Sequence, residues 1–404
     1  MAHLSADGGA PGAGNVVTSG PPYRAVLRLA LPTVGAMLAQ SIVNEVDIVF
    51  FAQLPCPESS NAQAALLPSL IILWAFGGTL SAISVGTQAY TGRRFAERRF
   101  DDAGSVLSNA ATFAMLAAIS FTALSFVAIG PILRTVVPSE AVREAAAVYL
   151  RWRLLGITSM AVTFAFKAFF DGIGRTHVHL VASVVMNAIN IVLCWMLIFG
   201  TPTLGIPKMG IEGAGIAGFV STWVGLAVMV GYSLLPVYRA RFRPYAFKKL
   251  DRALSWDIVK LSIPSAIATL VIMTGVMLFV GVALKLDEVR PLGTVSPMCP
   301  GGKAEPVNGA ATTVIVGVLK LTFTACLAFG TSTATLVSQS LGERDPEKAE
   351  RFGWTSVKLG LIIFGIVGAI EFVFAEPILA FLSNSDLVRE AALVPMRIMG
   401  VTTP

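Results

Sequence analysis

Long apolar segments separated by short polar loops recur along most of this sequence. Nine such segments lie between about residues 24 and 380, and a tenth begins near Leu387. An α-helix needs about 20 predominantly apolar residues to cross the hydrocarbon core of a bilayer, and each segment is long enough to do so. The pattern therefore predicts an all-α, polytopic membrane protein that lies in a lipid bilayer.

Composition and charge agree with a membrane location. The chain is 55% hydrophobic and 13% charged, whereas soluble domains carry about 25% charged residues. Its net charge of +6 comes from basic residues in short loops between apolar segments, which indicates membrane topology and argues against nucleic-acid binding. Basic loops after the second, fourth, sixth and eighth segments predict a cytoplasmic N-terminus, and residues 1–22 are expected to form a disordered cytoplasmic tail.

The second part of the chain repeats the first. Pro131 and Val142 recur as Pro377 and Val388, both displaced by 246 residues, and the LALP motif at residues 29–32 resembles LSIP at 261–264. Parallel repeats of this kind place a substrate site between two lobes. The repeat predicts a six-helix N-lobe (23–236), a basic cytoplasmic linker (237–253) and an incomplete C-lobe (254–404) with three helices and the start of a fourth.

A polar stripe on the first predicted helix contains the best candidate for chemistry. Gln40, Asn44 and Asp47 are spaced i, i+4, i+7, so they share one helix face. A charged side chain in a membrane costs from about 2.5 kcal/mol upwards and usually has a function. Asp47 can take up and release H⁺ or Na⁺, although a purely structural hydrogen bond to a neighbouring helix remains the alternative. Glu45 points to another face and is expected to be structural.

The fifth predicted helix carries a second stripe. Ser183, Asn187, Asn190 and Cys194 follow helical spacing, and the two amides could ligate a cation or, equally, join helices by hydrogen bonds. We predict a cation-coupling site formed by Asp47, Asn187 and Asn190. The polar residues expected to support this site are Gln40, Asn44, Ser183 and Cys194.

Two further sets of charged residues need an interpretation. Lys320 and Thr324 in the eighth segment could form a second polar site, with a structural ion pair of Lys320 as an equal alternative. Lys167 and Asp171 are predicted to be a solvated helix end at the cytoplasmic side. The residues expected to anchor the opposite end of that helix to lipid headgroups are Arg151, Trp152 and Arg153.

Cysteine and histidine usage argues against a disulfide and against an enzyme. Cys56 and Cys299 fall in equivalent extracellular loops, but a bond between them would tether the two lobes, so pairing is disfavoured. The three histidines are all placed outside the membrane segments, and without an intramembrane base or metal cluster we expect no enzymatic activity. These histidines are His3, His177 and His179.

Several ordered motifs resemble the multidrug and toxic compound extrusion (MATE) family. They are LALP at 29–32, NEVD at 44–47, FDGIGRT at 170–176, NAINIVL at 187–193, GIEGAG at 210–215 and SQSLG at 338–342. The resemblance implies two lobes of six helices that export organic cations or other amphipathic small molecules in exchange for Na⁺ or H⁺, with no other cofactor. It also implies a monomer in the plasma membrane, most simply a bacterial inner membrane.

The same resemblance bears on individual residues. Asp47 stands where the family carries its first-helix acid, whereas Cys194 stands where some members have an acidic residue. The seventh segment, residues 261–284, lacks the Glu found in some relatives, so coupling is expected to run through the N-lobe.

Two functions other than antiport stay open. They are a lipid or polysaccharide flippase, which would need a strongly cationic cavity, and a transport-inactive truncated relative.

Overall fold

The computed structural model describes residues 21–55, 58–137, 139–245, 250–289, 307–383 and 386–403. These residues are almost entirely helical. The helices are α1 (Pro22–Ala52), α2 (Glu58–Leu73), α3 (Ile83–Ala96), α4 (Phe100–Val136), α5 (Glu140–Leu155), α6 (Ile157–Gly172), α7 (His177–Phe199), α8 (Gly210–Leu234), α9 (Pro236–Phe242), α10 (Arg252–Val289), α11 (Val307–Gly342), α12 (Pro346–Val373), α13 (Ala375–Leu382) and α14 (Asp386–Thr402).

The apolar segments form membrane-length helices. Within the described ranges, seven helical stretches are long and apolar enough to cross a bilayer, or eight if the bent pair α5 and α6 counts as one span. Large apolar side chains on their outer faces are exposed, among them Val127, Val271 and Ile362. Such a surface is unfavourable in water and suits contact with lipid.

Two predicted spans are not the continuous helices that hydropathy suggests. The second span consists of α2, a π-helical segment at Trp74–Gly78, a 3₁₀ segment at Thr79–Ala82 and then α3. The fourth bends by 45° between α5 and α6, at Gly156. Hydropathy reports only the apolar length of a span, so it cannot reveal these local changes in helix geometry.

Small residues let the helices approach closely. Helix α8 packs against α7 and α5. A β-carbon added to Gly213 would lie 2.7 Å from the backbone carbon of Leu197, and one on Gly215 would lie 2.9 Å from the carbonyl oxygen of Tyr149. Close packing of this kind replaces the hydrophobic driving force that helices lack in lipid.

The polar ends of the bundle differ in charge. We call the end at which α1 begins the basic end, because it also carries the arginines that follow α3 and those of α9. Helix α9 lies in the predicted linker, where Phe242 is buried and packs against the rings of Phe95, Phe100 and Phe169. The guanidinium carbon of Arg241 lies 4.0 Å from the Phe100 ring centroid. The start of the predicted linker is therefore a short helix packed on the bundle.

Candidate functional site

Asp47 is the centre of a buried polar cluster that joins three helices. Its side chain is only 5% exposed, and its Oδ1 accepts a hydrogen bond from Cys194 Sγ on α7 at 3.4 Å. The same thiol lies 3.8 Å from Asn190 Oδ1, one turn away, and Asn190 Nδ2 donates to Ser221 Oγ on α8 at 3.2 Å. We refer to Asp47, Asn190, Cys194 and Ser221 as the Asp47 cluster.

Helix α5 adds a cation beside this cluster. The Arg153 guanidinium interacts electrostatically with Asp47, and its central carbon lies 5.7 Å from the Tyr149 ring centroid. The guanidinium lies against Gly218 of α8, where a β-carbon would collide with it. Among the described atoms, neither Arg153 Nε nor Tyr149 Oη has a hydrogen-bond partner, although both are buried.

The prediction that Arg153 anchors the chain to headgroups is therefore wrong. Glycine at position 218 leaves space in which the guanidinium is drawn inward, and a sequence pattern on α5 alone cannot show a gap on α8. Its neighbours are closer to the expectation, since Arg151 is exposed and Trp152 Nε1 donates to Glu212 Oε1 at 3.0 Å. The sequence did contain one sign of this inward position, because the i, i+4 spacing of Tyr149 and Arg153 allows the two side chains to contact each other on one face of α5.

The predicted stripe on α7 divides into two parts. Asn190 and Cys194 belong to the Asp47 cluster, whereas Ser183 Oγ lies 3.4 Å from His179 Nε2, nearer the basic end. Asn187 is buried between them, and its Nδ2 has no hydrogen-bond partner in the described part of the chain. The structure thus brings one predicted amide to Asp47 and leaves the other apart.

Some predicted residues lie outside what the structure describes. Gln40, Asn44 and Glu45 are in α1, but their side chains are not among those described. Cys56 and Cys299 also lie outside the described residues. The first-helix stripe and the unpaired state of these two cysteines therefore stay predictions.

The C-terminal spans contain a buried acid that the sequence patterns did not single out. Glu371 of α12 is 4% exposed. Its two oxygens accept hydrogen bonds of 2.8 Å from Thr322 and Thr403 hydroxyls. Lys320 and Thr324, predicted as a second polar site, are half-buried in α11. The available signal for Glu371 was a single acidic residue in an otherwise apolar run on α12.

Lys167 and Asp171 form a buried ion pair near the basic end. Lys167 Nζ lies 2.6 Å from Asp171 Oδ2, and the two side chains are 8% and 1% exposed. The predicted solvated helix end is wrong, because α6 ends inside the bundle against α3 and α11. His179 of α7 is also buried and interacts electrostatically with Lys167, so its placement outside the membrane segments was wrong too.

The end of α6 is joined to α11 by a seam of polar contacts. Thr335 Oγ1 donates to the Asp171 carbonyl at 3.0 Å, and Gln339 Nε2 donates to the Gly172 carbonyl at 2.8 Å. Gln88 Nε2 of α3 donates to Thr335 Oγ1 at 2.7 Å and to the Thr331 carbonyl at 2.6 Å. We call these contacts the basic-end seam; they hold α3 and α6 against α11.

The chain matches a known protein family. The family model described as MatE matches residues 32–196 and 302–404. These two ranges include most of α1, the Asp47 cluster up to Cys194, and all of α11. The chain belongs to the MATE family.

Relatives and solved MATE structures extend the match to nearly the whole chain. The chain is 24% identical over 385 residues to a "Probable multidrug resistance protein NorM" of Thermotoga maritima, which covers 93% of this chain and 75% of that protein. It is 22% identical over 372 residues to a "Probable multidrug resistance protein YoeA" of Bacillus subtilis, covering 90% and 74%. MATE proteins are multidrug efflux transporters, and this chain is a multi-pass membrane protein of that family.

Two solved structures show the fold. A MOP superfamily transporter from Pyrococcus furiosus matches with a TM-score of 0.79 at 22% identity, covering 95% of this chain and 80% of that one. The eukaryotic MATE transporter AtDTX14 matches with a TM-score of 0.80 at 18% identity, covering 95% and 79%. The chain therefore has the MATE helix-bundle fold.

The basic-end seam of this MATE protein leads to a prediction about closure. Gly92 of α3 faces Ser338 of α11 so closely that a β-carbon would collide with it. We expect Gly92→Val to hold the seam open and to speed hydrogen–deuterium exchange of α11 peptides covering residues 331–342 by about fivefold or more, because opening exposes backbone amides.

Gly353→Val is the matched control for this wedge. Gly353 is also helical, but nothing lies within 4 Å of a β-carbon placed there, so the variant carries the same cost in helix propensity without the collision. Exchange in residues 331–342 should match the wild type. Equal exchange in both variants would show that the seam does not depend on the close approach at Gly92.

Proposed function

We propose that this protein is a secondary antiporter that exports organic cations or other amphipathic compounds in exchange for H⁺ or Na⁺. The buried Asp47 carboxylate carries the proposal, because its hydrogen bond from Cys194 connects α1 to α7, and Asn190 in the same cluster connects α7 to α8. When such a group gains or loses a cation, its charge changes at the junction of several helices. The energy of this charge depends on how the helices are arranged around it, so the ion binds some conformations of the bundle more tightly than others. Coupling of ion binding to a conformational change requires such a difference in affinity.

The basic-end seam supports alternating access of two lobes. The carbonyls at the end of α6 and the Gln88 amide reach α11, so the two sets of helices are closed against each other at the basic end. A change from one access state to the other would break these few polar contacts at the basic end of the bundle and form others at the opposite end. The protein is proposed to lie in a plasma membrane with its basic end in the cytoplasm, and the excess of arginine and lysine at that end supports this orientation through the positive-inside rule.

Transport in proteoliposomes tests the proposal. The purified protein would be reconstituted with a fluorescent organic cation such as ethidium inside, and efflux would be followed under a H⁺ gradient, a Na⁺ gradient or neither. We expect one of the two gradients to accelerate efflux several-fold, with loss of the acceleration when an ionophore for that ion is added. Protein-free liposomes control for leakage. Efflux that no gradient alters would contradict antiport.

A further inference from the structure

The cation beside Asp47 is built into the protein. Arg153 extends from α5 to α8, where its guanidinium lies against Gly218 and a β-carbon on that glycine would be 2.7 Å from Arg153 Cδ. Ser221 Oγ, one turn further on, donates to the Gly218 carbonyl at 3.1 Å and accepts the Asn190 hydrogen bond. The charge is thus held against the same segment of α8 that completes the Asp47 cluster.

The guanidinium and the carboxylate interact without direct contact. Arg153 acts electrostatically on both Asp47 and Tyr149, yet the described residues include no ion pair between Arg153 and Asp47. The Tyr149 ring lies under the guanidinium and stabilises it there through a cation–π interaction. A fixed positive charge therefore lies in the surroundings of a buried carboxylate.

Among the described side chains, the thiol that donates a hydrogen bond to Asp47 and the guanidinium that lies beside it are poor ligands for a hard cation. Helix α7 contributes the Cys194 thiol, which donates to Asp47, and Asn190, whose amide oxygen faces the same thiol. Helix α5 contributes Tyr149 and Arg153, and guanidinium groups donate without accepting. Hard cations require several oxygen ligands, and sulfur is a soft one. A proton needs only one acceptor oxygen.

We propose that Arg153 is the specificity-determining residue of the coupling site, and that its fixed charge excludes Na⁺ from Asp47 while leaving the carboxylate open to H⁺. The inference rests on the proposed antiport function. A Na⁺ ion bound to Asp47 would stand off the carboxylate toward neighbouring groups, where the guanidinium repels it and supplies no oxygen ligand. A proton is taken up on the carboxylate oxygen itself and needs neither space nor further ligands.

Direct ion binding tests this inference independently of transport. The full 404-residue protein would be placed in nanodiscs, and saturable binding of radioactive Na⁺ would be measured by scintillation proximity. We expect no saturable, Asp47-dependent binding in the wild type. Arg153→Met removes the charge and keeps an unbranched apolar stem, and it should gain saturable Na⁺ binding, with bound Na⁺ at least about tenfold above the wild-type background. Arg153→Lys keeps the charge and should behave like the wild type.

Controls separate exclusion by charge from general damage. Arg151→Met removes an exposed arginine two residues away and should leave Na⁺ binding unchanged, whereas Asp47→Asn combined with Arg153→Met should abolish the gained binding. Size-exclusion profiles establish which variants are folded, and Arg153→Gln serves in place of Arg153→Met if that protein aggregates.

Two results would overturn the proposal. One is Asp47-dependent Na⁺ binding by the wild type, and the other is a folded, charge-neutral variant that binds Na⁺ no better than the wild type. Neither result depends on efflux. If proteoliposomes show no coupled transport but the pattern of Na⁺ binding is as expected, the antiport function fails and the selectivity of the site stands.

Discussion

Replacing Asp47 with Asn is expected to abolish gradient-driven efflux, lowering it to the rate seen in protein-free liposomes. The amide has the size of the carboxylate, and its oxygen can still accept the Cys194 hydrogen bond that Asp47 Oδ1 accepts at 3.4 Å, so the three helices stay joined. It has no charge to neutralise, and it cannot exchange a proton at physiological pH. The measurement is ethidium efflux from proteoliposomes under the gradient that drives the wild type.

A second assay separates loss of coupling from loss of the transport path. Substrate exchange without a gradient, with labelled cation on one side and unlabelled cation on the other, should persist in Asp47→Asn. Glu212→Gln is the matched control, because Glu212 is an exposed carboxylate whose known contact is with Trp152, and it should drive efflux normally. Gradient-driven efflux that is unchanged in Asp47→Asn would remove this residue from the coupling step.

Replacing Lys167 with Met is expected to destabilise the protein by about 3–5 kcal/mol, the cost typical of removing one member of a buried ion pair. The change would leave the Asp171 carboxylate buried and uncompensated, and its Oδ1 already has no hydrogen-bond partner among the described atoms. The Asp171 backbone carbonyl also accepts from Thr335 in the basic-end seam. Unfolding in a denaturing detergent, followed by tryptophan fluorescence, would give the change in free energy.

Two comparison variants make this prediction specific to burial. Lys208 and Glu58 form a pair of similar length, 3.0 Å, but their side chains are 43% and 40% exposed, so Lys208→Met should cost at most about 1 kcal/mol. The double variant Lys167→Met with Asp171→Leu replaces both charges by apolar side chains and should recover most of the lost stability. Equal losses for Lys167→Met and Lys208→Met would contradict a structural role for the buried pair.

Hydropathy predicted the membrane helices but not the local changes in their geometry. Apolar length predicted α4, α7 and α8 because crossing a bilayer imposes one requirement, an uninterrupted run of apolar residues, that is written locally in the chain. It did not predict the π-helical segment at Trp74–Gly78 or the bend at Gly156. Those features keep the apolar run intact and depend on which helix packs alongside.

The candidate site shows the same division. Asp47 stood out from the sequence because a carboxylate in an apolar run is costly wherever it lies. Helical spacing placed Asn190 and Cys194 on one face of α7, and the structure brings that part of the face to Asp47. Spacing could not show that Ser183 turns instead to His179.

The sequence by itself therefore determined the membrane helices, the internal repeat and the acid at the centre of the site, since each follows from local apolar length or helical period. Tertiary structure alone decided that Arg153 lies in the space left by Gly218 and that Lys167 and Asp171 are buried. The burial of a charge depends on side chains contributed by other helices, in these cases α8, α3 and α11. Contacts between residues far apart in sequence carry that information, and no local pattern contains it.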